Sequence, residues 1–262
     1  MIGEAELAID PRFGFAYRLP PSGRANRPLL IAIHGSDRIY RETRDAFAEL
    51  ADQHDLAILA PLFAEGAANP GVGDGYKFLV EPGANYLDIL AAMQAQFSQL
   101  CPFDAAQVYL FGFSGGGQFA QRFGIVQAST LAGLVIAAPG SVTLIDNTLP
   151  YWPGTGDIAT ILGRPLDVAG LTRIPVHLII GGEDRAAGLV ERSYGAPYYA
   201  AEANLAGTDR HERIATLQRN LITHGIKAPL TTLDGVGHDF APIARCAAGI
   251  LSGWLDAANL AR

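Results

Sequence analysis

A serine between glycines gives the clearest indication of chemistry in this chain. Ser114 lies in the segment Gly112-Phe-Ser-Gly-Gly116, which matches the pattern G-x-S-x-G. The segment follows an apolar run typical of a strand and opens a stretch with helical periodicity. In that context the serine lies on a tight strand-to-helix turn, which admits only small residues two positions before and after it. The pattern predicts a nucleophile, because the alternative, a phosphate-binding turn, would need a G-x-x-x-x-G-K-[ST] pattern that the chain lacks.

A serine hydroxyl needs a base within hydrogen-bond distance. The chain has six histidines, and His238 is the best placed of them, in the glycine-rich segment Gly235-Val-Gly-His-Asp-Phe240. This segment follows the last predicted strand and precedes the closing helix, so its loop should lie at the carboxyl edge of a sheet. His34 belongs to the turn after the first long strand, and the other four fall within predicted strands and helices. We therefore predict His238 as the base.

The base in turn needs an acceptor for its second ring nitrogen. Asp184 is the strongest candidate, since it directly follows a buried strand in Ile179-Ile-Gly-Gly-Glu-Asp184. Glu183, Asp209 and Asp234 are the alternatives. With Asp184 the three groups occur in the chain order Ser, Asp, His.

Apolar runs alternate with amphipathic stretches along most of the chain, which predicts the elements that must position these groups. Such alternation specifies an α/β fold with a mostly parallel central sheet, here of about eight strands, and helices on both faces. Ligands of such sheets bind at the carboxyl ends of the strands. The predicted strands are 29–33, 56–63, 107–113, 131–138, 176–180 and 229–233, with an edge hairpin over 6–10 and 15–19; the predicted helices are 42–54, 85–100, 115–127, 208–224 and 240–259.

The length of 262 residues favours a single domain over 1–262. Two irregular stretches, at about 140–173 and 186–207, do not fit the alternation and are interpreted as insertions. Long connections are often functional. Because both leave the sheet at its carboxyl edge, we expect their aromatic residues Trp152, Tyr198 and Tyr199 to line a substrate pocket. The alternative is a surface loop with packed aromatic side chains.

Composition excludes several classes of function. The net charge is −7 and the basic residues are scattered, so the chain lacks the clustered basic surface that nucleic acid requires. No apolar run is long enough to span a membrane. The first residues lack the features of a secretory signal, which favours a cytoplasmic location. Cys101 and Cys246 have no spacing typical of a metal or redox site, so we expect no metal and no organic cofactor.

The segments around Ser114, Asp184 and His238, together with the His34-Gly35 turn, resemble the α/β-hydrolase family over about residues 29–255. The resemblance implies that these three residues form a catalytic triad. It also implies an oxyanion hole made by the backbone N–H groups of Gly115 and Ser36. More loosely, the chain is similar to the bacterial esterases related to polyhydroxybutyrate depolymerases and feruloyl esterases. Serine at 114 differs from the Asp of dehalogenases and epoxide hydrolases and from the usual Cys of dienelactone hydrolases.

This resemblance implies a serine hydrolase that cleaves small carboxylic esters through an acyl-enzyme. Hydrolysis of an amide, a thioester or a peptide by the same triad remains an alternative. A binding protein built on a hydrolase scaffold is the alternative from a different class, although such proteins commonly lose a member of the triad. Nothing in the sequence predicts the oligomeric state.

Overall fold

A mostly parallel sheet forms the centre of the molecule, as the strand–helix alternation predicts. The computed structural model describes residues 1–20, 22, 26–185, 194–195 and 197–260. Eight strands of these residues pair in one sheet in the order β1-β2-β4-β3-β7-β8-β9-β10, and β5 and β6 form a small separate hairpin. The strands are β1 (Ile2–Glu6), β2 (Gly14–Arg18), β3 (Arg27–Ile33), β4 (Ala57–Leu62), β5 (Val80–Glu81), β6 (Ala84–Asn85), β7 (Phe103–Phe113), β8 (Gly133–Ala137), β9 (Val176–Gly181) and β10 (Leu230–Leu233).

Most neighbouring strands of the sheet run parallel. β2 pairs antiparallel with β1 and with β4, whereas every pair from β4 to β10 is parallel. The central strands contain long apolar runs because both of their faces are covered. Every residue of β8 is buried, as is every residue of β3 except Pro28. The carboxyl ends of the parallel strands therefore meet along one edge of the sheet.

Helices cover both faces of the sheet. Alternate residues of β3 show this, since Leu29 and Ile31 pack in a core cluster with α3 and α4, while Leu30 packs in a second cluster with α2 and α8. The helices are α1 (Tyr40–Asp45), α2 (Ala48–His54), α3 (Tyr86–Leu100), α4 (Gly115–Gln127), α5 (Ile158–Leu162), α6 (Val168–Leu171), α7 (Arg210–Thr223) and α8 (Phe240–Leu260), with short 3₁₀ segments at Gly75–Phe78, Ala128–Thr130 and Ala201–Ala206. None of the helices in the described residues is both long and apolar enough to cross a bilayer.

The first strand lies earlier than predicted. β1 ends at Glu6, and the residues that follow form a turn in which the Leu7 N–H donates to the Phe13 carbonyl at 2.9 Å. Within this turn Asp10 accepts a hydrogen bond from the backbone N–H of Arg12. An Asp-Pro pair favours a turn, so the strand predicted over 6–10 is wrong.

The predicted helix 42–54 is two short helices. α1 ends at Asp45 and α2 begins at Ala48, because the backbone leaves helical geometry at Phe47 (φ −106°, ψ 15°). That break turns the Phe47 ring into the core, where it packs edge-on against Phe111 with ring centroids 4.9 Å apart.

The two irregular segments differ in how much of them is described. Residues 140–173 contain no strand, and α5 and α6 are short helices within them. In the second segment, residues 186–193 and 196 lie outside the described residues. Its described part ends in the 3₁₀ segment Ala201–Ala206.

Candidate active site

Ser114 lies at the junction of β7 and α4, where the chain turns sharply. Its φ and ψ are 56° and −112°, a strained conformation for a residue with a side chain. The turn closes because its glycines are small: a Cβ on Gly112 would overlap the carbonyl of Gly116, and a Cβ on Gly116 would overlap that of Ile33. The Ser114 N–H donates to the Ala137 carbonyl at 2.9 Å, which ties the turn to β8. The strand–turn–helix context of the motif is therefore present.

Three side chains form a continuous hydrogen-bonded chain at the carboxyl edge of the sheet. His238 Nε2 lies 2.9 Å from Ser114 Oγ, and His238 Nδ1 lies 2.6 Å from Asp184 Oδ2. A carboxylate only accepts, so the proton of a neutral His238 is on Nδ1 and Nε2 can accept from the serine hydroxyl. The three residues follow β7, β9 and β10. The structure thus brings together the residues that the sequence singles out, while their catalytic roles stay predictions.

The Asp184 side chain is buried, and its two neighbours, His238 and Arg210, stabilise its negative charge. Its side chain is 0% exposed, and Arg210, the first residue of α7, donates from Nη1 to Asp184 Oδ1 at 3.0 Å. Burial by itself would raise the pKa of Asp184, but the hydrogen bond with His238 and the charges of His238 and Arg210 hold it below its ordinary value. Asp184 is therefore an ionised carboxylate with both oxygens engaged.

The alternative acids lie elsewhere. Glu183 and Asp234 are exposed. Asp209 caps α7, with its carboxylate accepting from the backbone N–H of Glu212 at 2.8 Å. Among the four candidates, only Asp184 forms a hydrogen bond with His238 in the described structure.

The loop after β3 passes close to the serine. A methyl group on Gly35 would lie 3.5 Å from Ser114 Cβ, and Ser36 Oγ lies 3.2 Å from the corresponding position on Gly115. Gly115 is the first residue of α4, so its N–H has no acceptor within the helix. The Ser36 N–H has no backbone acceptor among the described residues. Both N–H groups fit the oxyanion hole that the sequence predicts. Their role in binding an oxyanion remains a prediction.

His34 lies beneath this loop and has a structural environment. It is fully buried; its Nε2 accepts from the Phe63 N–H at 3.0 Å, and its Nδ1–H donates to the Gly35 carbonyl at 2.6 Å. The ring packs against Phe63 and Tyr76. Burial lowers the pKa of His34 to about 4, so the ring is neutral in the folded protein. Its ring hydrogen bonds in the described residues are with Gly35 and Phe63, and they hold the Gly35-Ser36 turn in place.

The buried neutral ring predicts a pH dependence of stability. An unfolded histidine has a pKa of about 6.5, so between about pH 6.5 and pH 4 the unfolded chain binds a proton that the folded chain does not. Stability is therefore lost as the pH falls through this window, by up to about 3 kcal/mol from this group. We expect urea unfolding of the wild type between pH 7 and 4 to show a steeper loss than that of His34→Asn. Parallel curves for the two proteins would contradict this assignment.

A cavity of about 460 Å³ opens beside Ser114, and we call it the nucleophile cavity. On the His238 side it is aromatic: the Phe113 ring stacks on the imidazole with centroids 4.7 Å apart, and Phe240 packs against Phe113. The rest of the lining is largely polar and charged. These residues are Asp37, Asp74, Lys77, Gln118, Arg210 and Asp239.

The aromatic residues expected from the two insertions do not line the nucleophile cavity. Trp152 is buried; its indole N–H donates to the Tyr198 carbonyl at 2.8 Å and its ring packs against Phe78. Tyr198 stacks on the same Phe78 ring with centroids 4.2 Å apart, and Tyr199 is 40% exposed. The large rings of Trp152 and Tyr198 thus stabilise the insertions by packing together, and these positions do not support the expected substrate contacts.

Sequence reasoning overlooked the charged residues that line this cavity, among them Arg210 and Lys77. Arg210 gave no signal, because its proximity to Asp184 depends on how α7 packs against the end of β9. Lys77 carried a weak signal: the chain has only two lysines, Lys77 and Lys227, and Lys77 follows the small-residue stretch after β4. Only the structure shows that this lysine lines the same cavity as Ser114.

The order and direction of the strands are those of the α/β-hydrolase fold. A poly(3-hydroxybutyrate) depolymerase from Bordetella parapertussis superposes with a TM-score of 0.70 and 24% identity, over 91% of this chain and 85% of that one. Poly(aspartic acid) hydrolase-1 from Sphingomonas sp. KT-1 superposes with a TM-score of 0.69 and 19% identity, over 91% of this chain and 92% of that one. An S-formylglutathione hydrolase from Agrobacterium tumefaciens superposes with a TM-score of 0.60 and 16% identity, over 97% of this chain and 94% of that one. These likenesses establish the fold of this chain.

Sequence comparison adds no closer relationship. No family model matches the chain, and no curated protein matches its sequence significantly.

Proposed function

We propose that this protein is a serine hydrolase that cleaves carboxylic esters. The observation that carries the proposal is the hydrogen-bonded chain from Ser114 through His238 to the buried Asp184, with the serine on a strained turn at the start of α4. A serine placed in this way has a base within reach, and the base has an acceptor that fixes its tautomer. The proteins of the same fold named above are hydrolases, and this likeness also supports the proposal.

The reaction follows from the geometry. Ser114 Oγ attacks the ester carbonyl while His238 Nε2 takes its proton, and Asp184 stabilises the imidazolium that forms. The carbonyl oxygen becomes an oxyanion bound by the N–H groups of Gly115 and Ser36, each donor contributing about 3 kcal/mol to the transition state. His238 then protonates the leaving alcohol, and water attacks the acyl-enzyme with the same base.

The volume of the nucleophile cavity limits the size of the substrate. Its volume of about 460 Å³ suits a small molecule. We assign substrate contacts to its lining residues. Its polar wall favours a short ester over a long-chain fatty ester, whose apolar chain would remove water from charged side chains without replacing its hydrogen bonds.

Assays with 4-nitrophenyl acetate and butyrate test the proposed function. We expect turnover of both esters with a burst of nitrophenol when acylation is faster than deacylation. The matching 4-nitroanilides separate an esterase from an amide hydrolase: faster turnover of the anilides would favour the amidase alternative. No turnover of any acyl substrate, together with no reaction with a fluorophosphonate, would favour a binding protein on a hydrolase scaffold and would contradict the proposal.

A further inference from the structure

Gln118 is a buried polar residue in the wall of the nucleophile cavity. It lies on α4 one turn after Ser114, and its backbone N–H donates to the Ser114 carbonyl at 3.1 Å. Residues four apart share one face of a helix, and both residues line the cavity. Gln118 is 7% exposed. A glutamine at this depth normally has both ends of its amide hydrogen-bonded.

The oxygen of this amide is held by two donors. Ser141 Oγ donates to Gln118 Oε1 at 2.5 Å, and Arg122 Nη1 donates to the same oxygen at 3.4 Å. Arg122 Nη2 also donates to Ser141 Oγ at 2.9 Å, so the proton of the serine hydroxyl is directed toward Gln118. A guanidinium is a donor only, and a reversed amide would place its NH₂ group against that donor. The network therefore fixes which end of the amide faces Arg122.

The NH₂ end of the amide is open to the cavity. Gln118 Nε2 donates to no protein acceptor within the described part of the chain. It is not enclosed by protein either, because the described polar atoms that are both enclosed and without a partner belong to other residues. The surface that Gln118 forms is the wall of the nucleophile cavity. Its donor is therefore available to a molecule bound beside Ser114.

The amide lies away from the proposed oxyanion donors. Those N–H groups belong to Gly115 and Ser36, at the start of α4, and Gln118 is about 4.5 Å further along the helix axis than Gly115. The amide oxygen contacts Arg122, which is one turn further still, so the amide is directed away from the start of the helix. Gln118 therefore faces a part of the substrate other than the carbonyl that reacts.

The surroundings favour an uncharged acceptor. Nε2 is a donor, so the group that it binds must accept a hydrogen bond. A carboxylate on the substrate would be repelled by Asp37 and Asp239, which are exposed carboxylates of the same cavity lining. A hydroxyl group would also need an acceptor for its proton, and Gln118 Oε1 already accepts from two donors. A carbonyl oxygen needs only donors.

We propose that Gln118 is a specificity-determining residue whose Nε2 donates to a second carbonyl oxygen of the substrate, distinct from the carbonyl that Ser114 attacks. The inference rests on the proposed function, because it assumes that an ester binds at Ser114. It covers a second carbonyl in the acyl part and in the alcohol part alike, and substrates of both kinds separate the two positions.

Two pairs of esters that differ by a ketone oxygen in place of a methyl branch test this role. Methyl 4-oxopentanoate is paired with methyl 4-methylpentanoate for the acyl part, and 2-oxopropyl acetate with 2-methylpropyl acetate for the alcohol part. Each kcat/KM is divided by the rate constant for hydrolysis of the same ester by hydroxide, which removes the difference in intrinsic reactivity. For the wild type we expect a preference of about fivefold or more for the ketone ester in at least one pair, the effect of one hydrogen bond.

Gln118→Glu removes the donor and keeps the rest of the network. One carboxylate oxygen can still accept from Arg122 and Ser141, and the other replaces Nε2 but cannot donate while the charge of Arg122 keeps the group ionised. We expect the preference to fall to about one or below. Gln118→Met removes both ends of the amide and should also abolish the preference, so the test does not depend on the folding of a single variant. Gln127→Glu, at the last residue of the same helix, is the matched control and should keep the wild-type preference.

A purely structural role of Gln118 would give a different result, because it would lower the rates for both esters of a pair together and leave their ratio unchanged. Hydrolysis of all four esters by the wild type without a preference in either pair would overturn the role of Gln118 alone. A preference that Gln118→Glu retains would do the same. Absence of any hydrolysis and of fluorophosphonate labelling in the wild type would overturn the proposed function itself.

Discussion

Ser114→Ala is expected to abolish ester hydrolysis, with kcat falling by about 10⁶-fold, as for other serine hydrolases that lose the nucleophile. The hydroxyl is the only group at the strained turn that can form the acyl-enzyme, and its hydrogen bond to His238 Nε2 is its side-chain contact in the structure. The fold should be retained, because alanine also carries a Cβ and keeps the turn geometry. We expect the unfolding free energy to change by no more than about 0.5 kcal/mol.

The measurement is the initial rate with 4-nitrophenyl butyrate, together with labelling by a fluorophosphonate followed by mass spectrometry. Wild-type protein should gain the label on the peptide that contains Ser114, and the variant should remain unlabelled. Ser98→Ala is a matched control on α3, where the serine hydroxyl donates to the Ala95 carbonyl away from the cavity. Equal labelling of Ser114→Ala and wild type would show that another residue is the nucleophile.

Asp184→Asn is expected to lower kcat by up to about 10⁴-fold. The structure supplies a specific reason. Arg210 is a donor only, so the amide oxygen of an asparagine at 184 would turn toward Arg210 and its NH₂ group toward His238. His238 Nδ1 would then accept a hydrogen bond, and the ring proton would move to Nε2. In that tautomer the imidazole cannot take the proton of Ser114.

Rates of Asp184→Asn, Asp209→Asn and Asp234→Asn measured side by side test the choice of acid. Asp209→Asn keeps a good cap for α7, because asparagine caps helices as well as aspartate does. Asp234 is exposed, so its neutralisation should change little. Both controls should retain activity within a factor of a few. A larger loss in either control than in Asp184→Asn would move the acid to that position.

The sheet and the three central residues could be predicted because their signals are local. A parallel strand that is buried on both faces is a continuous apolar run, and β3, β8 and β9 stand out in this way. Ser114 has a motif whose glycines are required by close backbone contacts, and residues that directly follow parallel strands must share one edge of the sheet. The order of elements therefore predicts that Asp184 and His238 lie near Ser114.

The features that were missed depend on packing between distant segments. The helix predicted over 42–54 is interrupted at Phe47, whose ring packs against Phe111, and helical periodicity carries no information about that contact. The aromatic residues of the first insertion were expected at the cavity, but Trp152 packs with Phe78 instead. Arg210 and Lys77 reach the site from segments whose sequence gives no period or motif. Amino-acid composition does not predict which charged side chains are buried.

The strand that precedes the base lies at the margin of the sheet. β10 has four residues and pairs only with β9 in the described sheet, whereas β7, which leads to the nucleophile, is held on both sides by β3 and β8. A marginal strand opens at lower cost than a central one. Fraying of β10 would therefore withdraw His238 while the rest of the sheet stays paired. On heating, catalysis should fade before the protein as a whole melts, and a crosslink that fastens β10 to β9 would extend the working temperature without altering the chemistry.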